Sequence, residues 1–241
     1  MQRKIHLFDN GVSVYDDHLN DFQRQRYARN NVHEIEEEGL FVELIDSIPA
    51  NGCFVNIGSA IGYYTLLAKQ MSRGLTVHAV EPLERHRKWF NENILLNGFK
   101  PDDFVIHTRA IAMDDGQAYL ADGGYSSIVL DSEKHNAELE KFREMNVAIK
   151  PVEVTSLDRL LESIGTHVDL LQMDVQGLEL DVLRGGANSI EKGLVSTFLI
   201  GTHSPVLHQG CLDFLTSRGY TISFEDADTS EQPDGIIVAG K

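Results

Sequence analysis

The sequence predicts an α/β fold, and three observations carry that prediction. From residue 53 onward, short apolar runs rich in Val and Ile alternate with longer amphipathic stretches, the rhythm of βαβ units. The last two apolar runs, 220–226 and 235–241, are joined only by the turn-rich ADTSEQPD, too short for a crossover helix, so these strands are expected to pair antiparallel. The chain has 241 residues, 42% apolar and 24% charged, the size and composition of one well-cored domain.

The elements follow in order. Residues 1–33 are largely polar and are expected to form an N-terminal arm or lid ahead of a single domain over 34–241. In EIEEEGLFVELIDSIP (34–49), Ile35, Leu40, Phe41, Leu44 and Ile45 recur near helical spacing and Pro49 ends the helix. CFVNIG (53–58) is the first strand and YYTLLAKQMS (63–72) its helix. TVHAVEP (76–82) is the second strand, and RHRKWFNENILLNG (85–98) is a helix stopped by Gly98. FVIHTRAIA (104–112) is expected to be one third strand. Residues 113–150 are irregular, with short strands in GQAYLADGG and SSIVL and then the charged DSEKHNAELEKFREMN; the region is expected to be a substrate-side excursion. Regularity returns in VEVTSLDRLLES (152–163) and in HVDLLQMDVQG (167–177), a strand expected to be buried on both faces. LELDVLRGGANSIEKG (178–193) is its helix, and STFLIGTHS (196–204) and the helix LHQGCLDFLTSRG (207–219) lead to the final pair.

Charge removes several function classes. Lys and Arg number 21 against 37 Asp and Glu, a formal net charge of −16, so a phosphate backbone meets a repelling mean field and no nucleic-acid partner is expected. The same sign disfavours anchoring on anionic lipid, and no stretch approaches the roughly 18 apolar residues of a membrane helix. The opening MQRKIHLFDNGVSVYDD lacks the long apolar region of a secretory signal, so the expected location is cytoplasmic. Cys53 and Cys211 form no CxxC pair or ligand cluster and are expected to be buried, reduced thiols.

Two motifs carry chemistry. NIGSAIGYYT (56–65) runs from a strand through Gly58, Ser59, Ala60, Ile61 and Gly62 into a helix, where glycines let the chain turn and let a ligand approach. A dinucleotide fingerprint starting at Gly58 would require glycines where Ala60 and Tyr63 stand, which weakens a nicotinamide site. Glu81 ends the second strand, close to the roughly 20-residue offset at which an acid accepts hydrogen bonds from both ribose hydroxyls.

Together the segments FVNIGSAIGYYTLLA and HAVEPLERHRKWFNENILLNG, then TSLDRLLES with VDLLQMDVQGLELDVLRGGANSI, then TFLIGTHS, resemble the FkbM family of S-adenosylmethionine-dependent methyltransferases. The most specific piece is a strand ending in Asp174, followed by Val175, Gln176 and Gly177, with Glu179 ahead of an LRGG helix. The resemblance implies a Rossmann-like sheet of seven mostly parallel strands with an antiparallel C-terminal strand and helices on both faces. It also implies S-adenosylmethionine over the first two strands, and methylation of a hydroxyl oxygen on a small molecule or sugar. Carried onto this chain, it puts Asn56, Gly58, Ser59, Gly62, Tyr63 and Asp174 around the cofactor and Glu81 on its ribose. Asn56 departs from the family, where an acid usually stands, so no charge from this position attracts the cofactor's ammonium.

A hydroxyl acceptor needs a base or a metal ion to take up its proton. Asp174 and His203 end adjacent strands on the side where open sheets bind ligands, and with Glu179 they are the expected catalytic groups. Asp174 and Glu179 would alternatively hold Mg²⁺, since oxygen ligands suit it, while Glu179 also suits the start of the helix after Gly177. Tyr63 and Tyr64 suit either the pocket or the core. His33 with Glu34, Glu36, Glu37 and Glu38 is expected to be a solvated helix face rather than a metal cluster. GGYSSI (123–128) is a candidate acceptor loop, and His208 and Asp234 are further polar groups near strand ends. Two alternatives stay open at this point: a catalytically silent cofactor-binding or scaffold protein, prompted by Asn56, and a nicotinamide-dependent oxidoreductase.

Overall fold

A computed structural model describes residues 3–123, 127–130, 136–228 and 235–241. Its N-terminal segment holds β1 (Ile5–Leu7), β2 (Ser13–Tyr15) and α1 (Asp21–Tyr27), followed by α2 (Ile35–Ser47). Then come β3 (Cys53–Ile57), α3 (Tyr63–Met71), β4 (Thr76–Val80), α4 (Glu84–Leu96) and β5 (Val105–His107). A second group is β6 (Ala110–Ala112), β7 (Gly116–Asp122), β8 (Ile128–Leu130), α5 (Asn136–Glu144) and β9 (Ala148–Ser156). The chain continues with α6 (Leu157–Ile164), β10 (Val168–Met173), α7 (Glu179–Gly185), α8 (Ala187–Glu191) and β11 (Val195–Thr202). It ends with α9 (Pro205–Thr216), β12 (Thr221–Asp226) and β13 (Gly235–Gly240).

The main sheet has seven strands in the order β12-β13-β11-β10-β3-β4-β5. Neighbours from β11 to β5 pair parallel, while β13 runs antiparallel to both β11 and β12, as the short final connection requires. Alternation along β3 sends Phe54 to one face and Cys53, Val55 and Ile57 to the other. The first face packs against α2, α3 and α4 through Phe41, Leu66, Phe90 and Ile94, and the second against α6 to α9 through Leu157, Leu183, Ile190 and Leu215. Each such side chain is fully enclosed and contributes about 1.5–3 kcal/mol. Cys53 and Cys211 are buried free thiols, and burial pushes them up, to about 11 and about 12.

Residues 3–33 pack directly on this domain. Phe8, Val12, Val14, Leu19 and Tyr27 join the cluster of the first face. Asn97 holds β2 on both sides, accepting from the Ser13 N–H at 2.9 Å and donating to its carbonyl at 2.7 Å. Asn20 caps α1 by accepting from the Gln23 N–H at 2.8 Å, with the reciprocal bond also formed.

Three expected elements are divided differently. The single strand expected over 104–112 is two: β5 edges the main sheet, whereas Ala110–Ala112 leave it to pair with Val154–Ser156 of β9. The helix expected over 178–193 is two, α7 and α8, parted at Gly186; the glycines there allow close packing, since a Cβ at Gly185 would lie 2.4 Å from the Ala112 carbonyl oxygen and one at Gly186 2.6 Å from the Leu157 side chain. The strand expected over 167–177 ends at Met173, since Gln176 (φ 55°) and Gly177 (φ 103°) turn the chain away. The stretch expected to be irregular builds a second sheet, ordered β6-β9-β7-β8 and covered by α5, with Leu139 enclosed against Ala121 and Leu130. Among the described residues no helix is long and apolar enough to cross a membrane.

Candidate functional site

Strands β4 and β5 lie to one side of β3 and β10 to β13 to the other, so the strand order switches beside β3. Open parallel sheets bind ligands at such a point, beyond the carboxyl ends of the strands. A cavity of about 470 Å³ lies there, within the roughly 300–1,000 Å³ of small-molecule sites.

The glycine loop forms its floor. The Gly58 and Ser59 N–H groups both donate to the Val80 carbonyl, at 3.0 and 3.1 Å, and the Gly62 N–H donates to the Ser59 carbonyl at 2.7 Å. Gly58 (φ 88°) and Gly62 (φ 89°) were expected to clear space for a ligand, but their nearest neighbours are protein. A Cβ at Gly58 would lie 2.0 Å from the Asp174 carbonyl oxygen, and one at Gly62 2.0 Å from the Phe90 ring. The glycines let the loop lie flat on the β10 turn and on α4.

Glu81 is buried and braces the same loop: Oε2 accepts from the Ala60 N–H at 2.9 Å and Oε1 from the Leu83 N–H at 2.8 Å. A carboxylate has about four acceptor positions, so this brace leaves capacity for a ligand diol.

The second corner gathers the three expected catalytic groups. His203 Nδ1 lies 2.7 Å from Glu179 Oε1, and its Nε2 lies 2.7 Å from Gln176 Nε2 and 3.3 Å from Asp174 Oδ1. An amide nitrogen only donates, so Nε2 is the acceptor and the proton sits on Nδ1, shared with Glu179. Glu179 is wholly enclosed; Oε1 also accepts from the Gly177 N–H at 2.9 Å, and Oε2 has no hydrogen-bond partner. Sequence reasoning placed Gln176 in the motif after Asp174 but gave it no role at the site; its left-handed φ, with that of Gly177, marks a constrained turn. The alternative Mg²⁺ site on Asp174 and Glu179 is not supported: Glu179 is turned to His203 and Gly177, and among the described residues no group of three His, Cys, Asp or Glu side chains is placed to hold a metal ion.

The third wall comes from α2 and the segment before it. Asn56 is buried and donates to Gln172 Oε1 at 3.1 Å, and Gln172 donates in turn to Glu37. Glu37 and Glu38 are buried, not the solvated face expected from their spacing, because the first turn of α2 packs on the strand ends instead of facing water. Glu38 accepts from the Tyr63 hydroxyl and from Asn10 Nδ2, and Glu34 accepts from the Tyr64 hydroxyl at 3.2 Å. Tyr63 and Tyr64 therefore belong both to the core and to the cavity wall. Burial and the Glu38 carboxylate hold the Tyr63 hydroxyl far above its ordinary range. His33 accepts from the Tyr27 hydroxyl at 2.6 Å, and burial beside Arg26 lowers it to about 3, so it is neutral. Phe8, Phe22, Arg26 and Tyr27 also line this wall. Sequence periodicity gave no sign of them, since they reach the site only through tertiary packing.

Other expected groups lie elsewhere. His208 bonds to Thr202 Oγ1 at 2.8 Å and Glu225 Oε2 at 3.1 Å and does not line the cavity. Asp234 and residues 124–126 of the candidate acceptor loop lie outside the described residues, whereas Ser127 lines the cavity. A second cavity of about 370 Å³ opens between β8, α5 and the turn after β10. Ile128, Leu130, Phe142 and Met145 line it, and it shares Val129, Gln176 and Leu178 with the first.

Comparison with known proteins agrees with this layout. A curated protein of Jannaschia sp. (strain CCS1), named "Putative methyltransferase", is 28% identical over 159 residues, which are 64% of this chain. The chain matches 56% of that relative's length. Among solved structures, precorrin-6y C5,15-methyltransferase from Geobacter metallireducens GS-15 has a TM-score of 0.51 at 12% identity, covering 87% of this chain and 90% of its own. An rRNA methylase from Streptococcus thermophilus has a TM-score of 0.52 at 9% identity, covering 84% of this chain and 94% of its own. Likeness at that identity is a likeness of fold, and these two names show how far apart the acceptors carried by one fold can be. The methyltransferase FkbM domain matches residues 53–222, from the first strand of the main sheet into β12, and the chain belongs to that family.

Proposed function

We propose that the protein transfers a methyl group from S-adenosylmethionine to a hydroxyl oxygen of a small molecule or sugar. The observation that carries this reading is the Glu179–His203 pair, which leaves an imidazole nitrogen unprotonated at the cavity wall. Family membership favours methyl transfer over hydride transfer to a nicotinamide, and the three polar groups gathered at one corner favour an enzyme over a silent scaffold.

The cavity suits the cofactor in size and in donor set, with Glu81 for the ribose hydroxyls and the wall of Asn56, Ser59 and Tyr63 beside the glycine loop. S-adenosylmethionine supplies an electrophilic methyl carbon on a positively charged sulfur. The protein supplies register, which is most of what an in-line displacement needs. His203 Nε2 takes the acceptor's proton, with the hydroxyl replacing the Gln176 amide as its partner, while Glu179 stabilises the imidazolium that forms. Asp174 orients the Gln176 amide and faces the same nitrogen. The apolar second cavity adjoins this corner and supports an acceptor that carries an apolar body next to its hydroxyl.

The test is calorimetric titration with S-adenosylmethionine and S-adenosylhomocysteine, with and without Mg²⁺, and with NADH as control. Micromolar binding of the first two and none of NADH is expected. Absence of binding by either sulfur compound would give the scaffold alternative the lead.

A further inference from the structure

We propose that residues 20–34, which precede the matched domain, hold the amino-acid end of the cofactor, with Arg26 taking its carboxylate and Glu34 its ammonium. The proposal rests on the S-adenosylmethionine reading above. That end of the molecule is a zwitterion, and enclosing it without opposite charges leaves two desolvated ions uncompensated.

The sheet side of the cavity does not meet this demand. Asn56 is neutral, and its amide donates to Gln172. Glu81 braces the glycine loop, and Asp174 faces His203 at the other corner. Gly58, Ser59 and Gly62 spend their N–H groups on protein carbonyls. Among the described residues that line the cavity, Arg26 is the only Lys or Arg.

Arg26 and Glu34 stand side by side, where one group carrying both charges can bridge them. Their closest approach is 3.8 Å, an ion pair too long for a hydrogen bond, and the Arg26 Nη2 also lies 3.3 Å from His33 Nδ1. Arg26 Nε is enclosed and has no hydrogen-bond partner, which costs free energy unless a ligand supplies an acceptor. A planar guanidinium matches a carboxylate through two parallel bonds, which a neutral donor cannot do.

The pair is also held at the correct end. Glu34 accepts from the hydroxyl of Tyr64, and the His33 N–H donates to the hydroxyl of Tyr63 at 3.2 Å. Those tyrosines open α3 at the end of the glycine loop, whereas Glu81, which takes the ribose, stands after β4. The segment thus supplies from outside the sheet the charge that the strand-end Asn56 lacks.

The test compares two probes in calorimetric titration: S-adenosylhomocysteine, and 5′-methylthioadenosine, which has the same nucleoside without the amino-acid end. Arg26→Gln and Glu34→Gln should each weaken S-adenosylhomocysteine about tenfold or more, the loss of one charge-assisted bond, and leave 5′-methylthioadenosine within about twofold. Arg26→Lys keeps the charge without the fork and should fall between, and it serves if the Gln variant does not fold. Equal loss for both probes, or no loss for either, would overturn the proposal. Wild-type protein that binds neither probe would instead overturn the cofactor reading beneath it.

Discussion

His203 Nδ1 stands 2.7 Å from Oε1 of Glu179, a carboxylate wholly enclosed beneath the turn that follows β10. The contact fixes which imidazole nitrogen carries the proton, and hence which one faces the cavity. His203→Ala should lower kcat by about 10²–10⁴-fold, the usual contribution of a general base. Its affinity for S-adenosylhomocysteine should stay at the wild-type value. Glu179→Gln should lower kcat by a smaller factor with KM nearly unchanged, since it acts on His203 rather than on substrate. Steady-state kinetics with parallel calorimetry check both, and unchanged turnover in His203→Ala would remove the base.

Glu81 is expected to do two jobs, and the variants separate them. Glu81→Ala should weaken S-adenosylhomocysteine by about ten- to a hundredfold, in line with the roughly 1.5–3 kcal/mol of a hydrogen bond to a charged group. It should also lower Tm, because the Ala60 and Leu83 N–H groups lose their acceptor. Glu81→Gln restores one carbonyl oxygen and should recover part of the Tm but little of the affinity.

Two glycines with similar backbone angles should respond differently to the same change. Gly58 (φ 88°) faces the Asp174 carbonyl, whereas Gly98 (φ 74°) has open space where a Cβ would go. Gly98→Ala should cost about 1 kcal/mol for the left-handed backbone alone. Gly58→Ala should cost a further 1–3 kcal/mol or so from overpacking. Urea denaturation monitored by circular dichroism measures the difference.

Acid should destabilise the N-terminal segment through His33. Its native form resists protonation down to about pH 3, while the unfolded chain takes a proton near the ordinary pKa of about 6.5. Between those values the unfolded state binds more protons, so stability falls as pH falls through that window. The contribution reaches at most about 2 kcal/mol at pH 5. His33→Asn should flatten the fall in urea midpoint between pH 7 and pH 5, and an unchanged slope would count against a neutral buried imidazole.

The parallel half of the fold was legible because its strands are nearly continuous apolar runs and its helices carry clear stops, as at Gly98 and Pro49. The placing of Glu81, Asp174 and His203 at one side of the sheet was legible because they follow the carboxyl ends of β4, β10 and β11, and Glu179 joins them from the start of α7. What escaped had no periodic signal. Glu37 and Glu38 read as a wet face because spacing reports direction around a helix, not what packs there. Ala110–Ala112 read as more of β5 because two residues, Thr108 and Arg109, suffice to send the chain into another sheet. Arg26 and His33 entered the site only through the burial of Phe8 and Tyr27, which no local pattern announces.

The second sheet begins and ends side by side. Its first strand, β6, lies next to its last, β9, with Ala110 opposite Val154, and β9 passes straight into α6. Residues 110–156 thus form one closed unit that leaves the main sheet after its edge strand β5 and rejoins it, through α6, at β10. Replacing this span would leave the pairing of every strand of the main sheet unchanged. Since Ser127 and Val129 of the span line the cavity, the expected outcome of grafting it from another family member is a changed acceptor preference with unchanged affinity for S-adenosylhomocysteine, and the two joints to preserve are Thr108–Arg109 and Ser156–Leu157.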